Sequence, residues 1–265
     1  MDNQYRIACI GAGNVSSHLL PAFNNAGHRI VQVISRSALS AQRLAEPFGA
    51  DFSNEITKLD SSADILFLTV PDRVLPELID EVSWFRGIVV HVSGSMPLSS
   101  FRYTKSHYGV FYPLQTFSRD RNLDFKTIPV FIEGSNQSVT DALSGLGQQI
   151  SDKVYVLDSE NRAFLHLAAV FANNFTNYLL TSASDILLRS GIERNVLDSL
   201  IRETLEKAID PNQKDTQTGP AVRGDLVTIK KHLNLLSFSD ELMEIYQSLS
   251  ASIQKKYSAR EKGDK

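Results

Sequence analysis

The chain has 265 residues, 42% hydrophobic and 22% charged, which is the composition of an ordinary globular protein rather than of a disordered one. A net charge of −3, with a pI near 6.1, supplies no basic field of the kind that nucleic-acid binding uses, so nucleic acid is not an expected partner. The longest apolar stretch, residues 164–188, is interrupted by His166, Asn173, Asn174, Asn177 and Asp185, so no segment is expected to span a membrane.

Residues 5–10 form a short apolar run that reads as the first strand. It contains the single cysteine, Cys9, which reads as a small buried hydrophobe and fits a reducing cytoplasm. No apolar secretory core precedes it. The run ends in Gly11-Ala-Gly13-Asn14-Val15-Ser16, a stretch with helical character follows to about residue 27, and a second apolar run covers residues 30–34. Strand, glycine turn, helix and strand within about 30 residues form a βαβ unit that can cradle a phosphate. Gly11 permits the tight turn, Gly13 lets backbone N–H groups approach a pyrophosphate, and the helix opening at Asn14 and Val15 aims its positive end at the same charge. A tight turn that binds nothing is the alternative, and the strand and helix on either side weigh against it. Ser16 stands where the pattern expects glycine or alanine and is the next smallest choice. Pro21 falls about two turns into the helix and predicts a bend.

After the second strand comes Ser35-Arg36-Ser37, where dinucleotide sites that take NAD carry an acidic residue for the ribose. An arginine between two hydroxyls suits a 2′-phosphate instead, which points to NADP. The alternative is a solvated arginine with the serines capping the next helix. Residues 40–48 look helical. Residues 65–70, 87–92 and 108–112 read as buried parallel strands, with a short helix at 74–82. Their ends carry Val70 and Pro71, Ser93 and Ser95, and Tyr112 and Gln115, all at the carboxyl edge of one sheet, where open α/β folds bind ligands. Ser93 and Ser95 fit an ordinary turn equally well. His91, inside its strand, reads as a core histidine rather than a base. Strands at 128–133 and 154–157 with a helix at 138–150 end the alternation, which places a boundary near Leu157 and Asp158.

Residues 160–189 read as one helix of about 45 Å. At about 100° per residue, His166, Asn173, Asn177 and Ser184 fall in one polar stripe about 40° wide, while Phe164, Leu167, Val170, Phe171, Phe175 and Leu179 take most of the rest. Such a stripe faces either a wet cleft or a satisfied internal network. Residues 193–209 form a cleaner amphipathic helix, whose Val196, Leu197, Leu200, Ile201, Leu205, Ala208 and Ile209 are expected in the core. A polar loop then ends in Thr218-Gly-Pro220-Ala-Val-Arg223-Gly-Asp225 before a helix at 226–236. There Arg223 can position an anion, or pair with Asp225 as a helix cap. Residues 239–257 read as a last amphipathic helix and 258–265 as a charged, frayed end.

These residues together resemble a family of candidate NADP oxidoreductases in which a Rossmann-like domain precedes a helical domain of unknown function. The resemblance rests on Gly11-Ala-Gly-Asn-Val15, Ser35-Arg36, His91-Val-Ser-Gly94, Tyr112-Pro-Leu-Gln-Thr-Phe117, His166-Leu-Ala-Ala-Val170 with Asn173-Asn174, and the Thr218–Asp225 loop. More distantly the layout is similar to pyrroline-5-carboxylate reductase and to 6-phosphogluconate dehydrogenase. The hydroxyacid dehydrogenases of that group carry a catalytic lysine where this chain has Ala169 and Val170, so their lysine mechanism does not transfer. The close family often has histidine at the position of Tyr112.

The expected fold is therefore an α/β doubly wound, mostly parallel sheet over residues 1–157, followed by an all-helical domain over 158–265. The expected function is NADP-dependent hydride transfer to or from a small, anionic carbonyl, hydroxyl or imine substrate, with no metal. His166 is the expected general acid or base, Tyr112 is a further catalytic candidate, and Asn173 is expected to orient the substrate. Gln115 and Asn177 are expected to contact the substrate, and Arg223 to hold its carboxylate. The alternatives are an NADP-binding sensor without turnover, a deazaflavin-linked reductase, and a dimerising scaffold with an empty crevice. The resemblance implies a homodimer formed through the helical domain.

Overall fold

The computed structural model describes residues 4–101, 107–212 and 216–257. The tail at 258–265 lies outside them. The chain divides into two compact units, Met1–Phe175 and Thr176–Lys265.

The first unit is built on an eight-stranded sheet of order β3-β2-β1-β4-β5-β6-β7-β8. Its strands are β1 (Arg6–Ile10), β2 (Arg29–Ile34), β3 (Asp51–Ser53), β4 (Ile65–Leu68), β5 (Ile88–His91), β6 (Tyr108–Pro113), β7 (Val130–Gly134) and β8 (Val154–Val156). All neighbours are parallel except β6 and β7. The edge strand β3 has no counterpart among the sequence expectations, because three residues beside polar neighbours leave no period to read. β4 shows why the central strands are apolar throughout. Ile65 and Phe67 enter one core with Phe23 and Phe111, while Leu66 and Leu68 enter a second with Leu75, Leu78 and Ile79. Alternate side chains face opposite layers of helices, so both faces must be hydrophobic. Phe23, Phe67 and Phe111 meet in tilted and edge-on pairs with centroids 5.0–5.7 Å apart.

Helix α1 (Asn14–Asn25) continues through Pro21. Helices α2 (Ala38–Ala45), α3 (Leu75–Glu81) and α4 (Gln137–Ile150) complete the layers. Helix α5 (Ser159–Ala169), which sequence reading groups with the helical domain, belongs to the first unit. Arg162, 1% exposed, anchors it. The guanidinium pairs with Glu133 of β7 and donates to the Met96 carbonyl at 2.7 Å and to Ser159 Oγ at 3.2 Å. Ser159 in turn donates to Glu133 at 2.7 Å and accepts from the Leu98 N–H at 2.8 Å.

The single helix expected over 160–189 is corrected. α5 stops at Ala169, residues Val170–Phe175 form a π-helical turn, and α6 spans Thr176–Arg189. A π turn holds more residues than an α turn, so a constant 100° per residue does not carry across it.

The second unit contains α6, α7 (Asp198–Ile209), α8 (Leu226–Leu235) and α9 (Asp240–Tyr257). Here a second expectation is corrected. The apolar face of α7 is not core: Val196 before it is 58% exposed, and Leu200, Leu205 and Ile209 are 62%, 48% and 80% exposed. Within the unit, Tyr178 donates to Glu241 at 2.7 Å, the His232 ring meets the Tyr246 hydroxyl at 2.7 Å, and Arg189 lies over Phe238. No helix among the described residues is long and apolar enough to cross a membrane.

Candidate active site

The glycine turn closes where β1 meets the end of β4. Gly11 has φ +118°, and a Cβ there would lie 2.5 Å from the Thr69 carbonyl oxygen, so both backbone freedom and close approach exclude any larger residue. Thr69 holds the turn by donating from Oγ1 to the Gly11 carbonyl at 3.0 Å. Ser16 is fully buried and its hydroxyl turns back to the Gly13 carbonyl at 3.1 Å, which accommodates a polar residue at a position of close helix packing. Gly13 is the N-cap of α1 and offers no side-chain acceptor. The first turn, beginning with exposed Asn14 and half-buried Val15, contains no acidic residue. The N–H groups of that turn lack intrahelical acceptors and suit an anion.

Beside this turn lies a cleft of about 340 Å³ lined by Gly11, Gly13, Ser35, Arg36, Asn54, Val70 and Pro71, among others, with no carboxylate in its wall. Arg36 is exposed at its rim. Ser37 is instead the N-cap of α2, accepting from the Ser40 N–H at 3.3 Å. The donor set therefore fits a dinucleotide bearing an extra phosphate: bare helix N–H groups at the turn, and an arginine without an acidic competitor at the far end. Thr69 and Asn54 were not singled out from sequence. A threonine closing an apolar strand opposite a glycine turn is the signal that could have marked the first.

The carboxyl edge of the sheet continues from this cleft to a second set of polar groups. Asp72, next to Pro71, accepts a hydrogen bond from the Ser95 hydroxyl. Ser93 is buried, and its hydroxyl accepts from the N–H groups of Ser95 at 3.1 Å and Met96 at 3.0 Å, so it closes the turn after β5. Gly94, in that turn, is pressed against two side chains at once. A Cβ there would lie 2.6 Å from Nδ1 of His166 and 2.7 Å from Cζ of Tyr112.

Tyr112, at the end of β6, and His166, one turn beyond Arg162 on α5, share a hydrogen bond of 3.0 Å between the hydroxyl and Nδ1. Tyr112 is 9% exposed, and burial holds its hydroxyl above the ordinary tyrosine value; Arg162 opposes that shift and Asp72 adds to it. The phenol therefore stays protonated at neutral pH. His91, by contrast, is fully buried, stacked on Phe101, and accepts from the Ser93 N–H at 3.2 Å. Burial, with Arg162 acting in the same direction, pushes its imidazole down to about 3, so it is a neutral core residue.

Next to the pair is a pocket of about 300 Å³ lined by Tyr112, Gln115, Thr116, His166, Asn173 and Asn174, with Ala169 and Val170 in its floor. The consecutive Asn173 and Asn174, both within the π turn, line the same pocket as His166. Three sequence-predicted residues, Tyr112, His166 and Asn173, thus converge, with Gln115 at the same wall. Asn177 and Arg223 belong to the second unit. There Arg223 is exposed and makes no ion pair among the described residues, while Asp225 caps α8 by accepting from the Thr228 N–H at 3.0 Å. Among the described residues no cluster of histidine, cysteine and carboxylates could hold a metal ion.

Residues 2–101 match the Rossmann-like domain family, and residues 128–253 match a family described as domain of unknown function DUF2520. A Bacteroides fragilis protein described as a candidate NADP oxidoreductase is 37% identical over 95% of this chain and 98% of its own, with a TM-score of 0.90. An imine reductase from Myxococcus stipitatus, solved with NADP+, is 17% identical with a TM-score of 0.69, covering 98% of this chain and 95% of its own. A 1-pyrroline-5-carboxylate reductase from Streptococcus pyogenes is 10% identical with a TM-score of 0.62, covering 95% and 99%. At those identities the last two establish a shared fold. No curated protein matches the chain.

Proposed function

Because the chain belongs to the family that joins a Rossmann-like domain to the DUF2520 domain, we propose that it is an NADP-dependent oxidoreductase acting on a small carbonyl, hydroxyl or imine substrate. The observation that carries this reading is the Tyr112–His166 pair, set on the same sheet edge as the glycine turn. The cofactor supplies or accepts a hydride at its nicotinamide ring. First-turn N–H groups of α1 would hold the pyrophosphate, and Arg36 would hold the 2′-phosphate by charge-assisted bonds that NAD, which lacks that one phosphate, cannot make.

In the reductive direction the heteroatom of a C=O or C=N group gains one proton as its carbon gains the hydride. The Tyr112 hydroxyl, protonated at neutral pH, is placed to give that proton, and His166 replaces it through Nδ1. Asn173 and Gln115 orient the substrate from the pocket wall. Asn177 and Arg223, on the second unit, are proposed as further substrate contacts, the arginine for a carboxylate. The exposed apolar residues of the second unit support assembly as a homodimer.

The test is a titration of the purified protein with NADPH and NADH, read by nicotinamide fluorescence, with Arg36→Ala as control. NADPH binding at least about tenfold tighter than NADH, with the preference lost in Arg36→Ala, is expected, since a charge-assisted hydrogen bond contributes about 1.5–3 kcal/mol. A screen of carbonyl and imine substrates then follows. Failure of both nucleotides to bind at millimolar concentration overturns the cofactor assignment. Tight NADPH binding without turnover of any substrate class favours a sensor.

A further inference from the structure

The connection between β6 and β7, residues 114–129, does more than join two antiparallel strands. Its middle returns to α1: the Phe117 ring packs against His18 with centroids 5.3 Å apart, and the His18 ring Nε2 shares a hydrogen bond of 3.0 Å with the Ser118 carbonyl. Phe117 also stacks on Phe125 near the far end of the loop. The residue that follows this docked segment, Arg119, reaches the glycine turn itself and donates from Nη2 to the carbonyl of Ala12.

Ala12 is the central residue of the turn, between Gly11 and Gly13. A cation is thus held at the place where the helix offers bare N–H groups and no charged side chain from its own first turn. Arg119 is exposed and forms no ion pair with a carboxylate among the described residues, although Asp120 and Asp124 are close in sequence. One carbonyl occupies one of the five donors that a guanidinium carries. An isolated surface bond of this kind contributes little to folding, so stability does not account for a charged fork at this turn.

We infer that Arg119 is a second arginine of the cofactor site, which clamps the pyrophosphate of the dinucleotide while Arg36 reads the 2′-phosphate. The inference rests on the NADP reading above. It divides the recognition between Arg36, in the wall of the cleft, and Arg119, bonded to the carbonyl of Ala12 that borders it. The pyrophosphate is common to NADPH and NADH, so Arg119 contributes to both equally. The 2′-phosphate is not, so Arg36 contributes to NADPH alone.

The experiment compares the full chain with Arg119→Ala, Arg119→Lys and Arg36→Ala, titrating each with NADPH and with NADH by nicotinamide fluorescence. Arg119→Ala is expected to weaken both nucleotides by the same factor, about tenfold or more, leaving their ratio unchanged. Arg119→Lys keeps the charge, loses the fork, and falls between the two. Arg36→Ala changes the ratio instead. If Arg119→Ala binds both nucleotides like the parent, the inference fails and the NADP reading stands. If it weakens NADPH alone, Arg119 belongs to the 2′-phosphate and the pyrophosphate assignment fails. If the parent protein binds neither nucleotide, both readings fail together.

Discussion

The hydroxyl of Tyr112 and Nδ1 of His166 lie 3.0 Å apart although 54 positions separate them in the chain, one at the end of a strand and the other on a helix. Two features force the meeting. Arg162 pins α5 to β7 and to the loop after β5, which fixes the helix turn bearing His166. Gly94 leaves just enough room for both rings. If the pair handles the proton, removing either member must cost turnover more than binding. His166→Ala and Tyr112→Phe are each expected to lower turnover by about 10²–10⁴-fold while leaving NADPH affinity within about twofold. Turnover that survives both substitutions would remove the pair from the chemistry.

Gly94 offers a separate handle on the same geometry. Its Cβ-bearing variant cannot form without displacing His166, Tyr112 or the loop itself, since both contacts would fall below 3.0 Å. Gly94→Ala is therefore expected to destabilise the protein by about 1–3 kcal/mol, as overpacking does, and to reduce turnover with NADPH binding retained. Denaturant melts and fluorescence titration of one preparation give both numbers. Parent-like turnover in Gly94→Ala would show that the pair tolerates displacement.

Much of this was legible in the sequence where a feature is local. The glycine turn announces itself because strand, glycines and helix are consecutive, and Arg36 falls where the ribose end of such a site must lie. The pairing of Tyr112 with His166 has no local signature, as it depends on sheet order and on how Arg162 docks α5. The π turn at Val170–Phe175 is hidden for a different reason. Its apolar and polar residues also fit an uninterrupted helix, and only the hydrogen-bond register distinguishes the two. For α7 the pattern correctly marks an apolar face, but periodicity states that a face will be covered, not by what.

His91 sets an acid limit on stability. Its imidazole is held down at about 3 in the folded protein, against an ordinary value near 6.5 in the unfolded chain. Between those values the unfolded state binds the extra proton, so stability falls as pH is lowered from about 6.5 towards 3 and is fully present above that window. The contribution is on the order of 3–5 kcal/mol. His91→Asn is expected to flatten the pH dependence of unfolding free energy across this window, whatever its effect at pH 7. An unchanged slope in urea melts at pH 4, 5 and 6 would show that other groups set the acid limit.

The exposed face of α7 calls for a partner, and a second copy of this chain is the occupant we propose. Leu200, Leu205 and Ile209 on the helix, with Leu188 at the end of α6 and Leu235 at the end of α8, are 48–80% exposed in the single chain. Each such side chain, once fully buried, contributes about 1.5–3 kcal/mol, so covering all five on association gains up to about 7.5–15 kcal/mol, the scale of a whole domain's stability. Light scattering of the purified protein is expected to give twice the 29.5 kDa chain mass at micromolar concentration. Leu200→Asp together with Ile209→Asp should weaken that assembly by about 100-fold or more, because two apolar contacts are lost and two charges are buried. The fold of each copy should persist, since neither side chain is part of a core in the single chain. A parent protein that stays monomeric at high micromolar concentration would leave the face to a different partner and remove the homodimer.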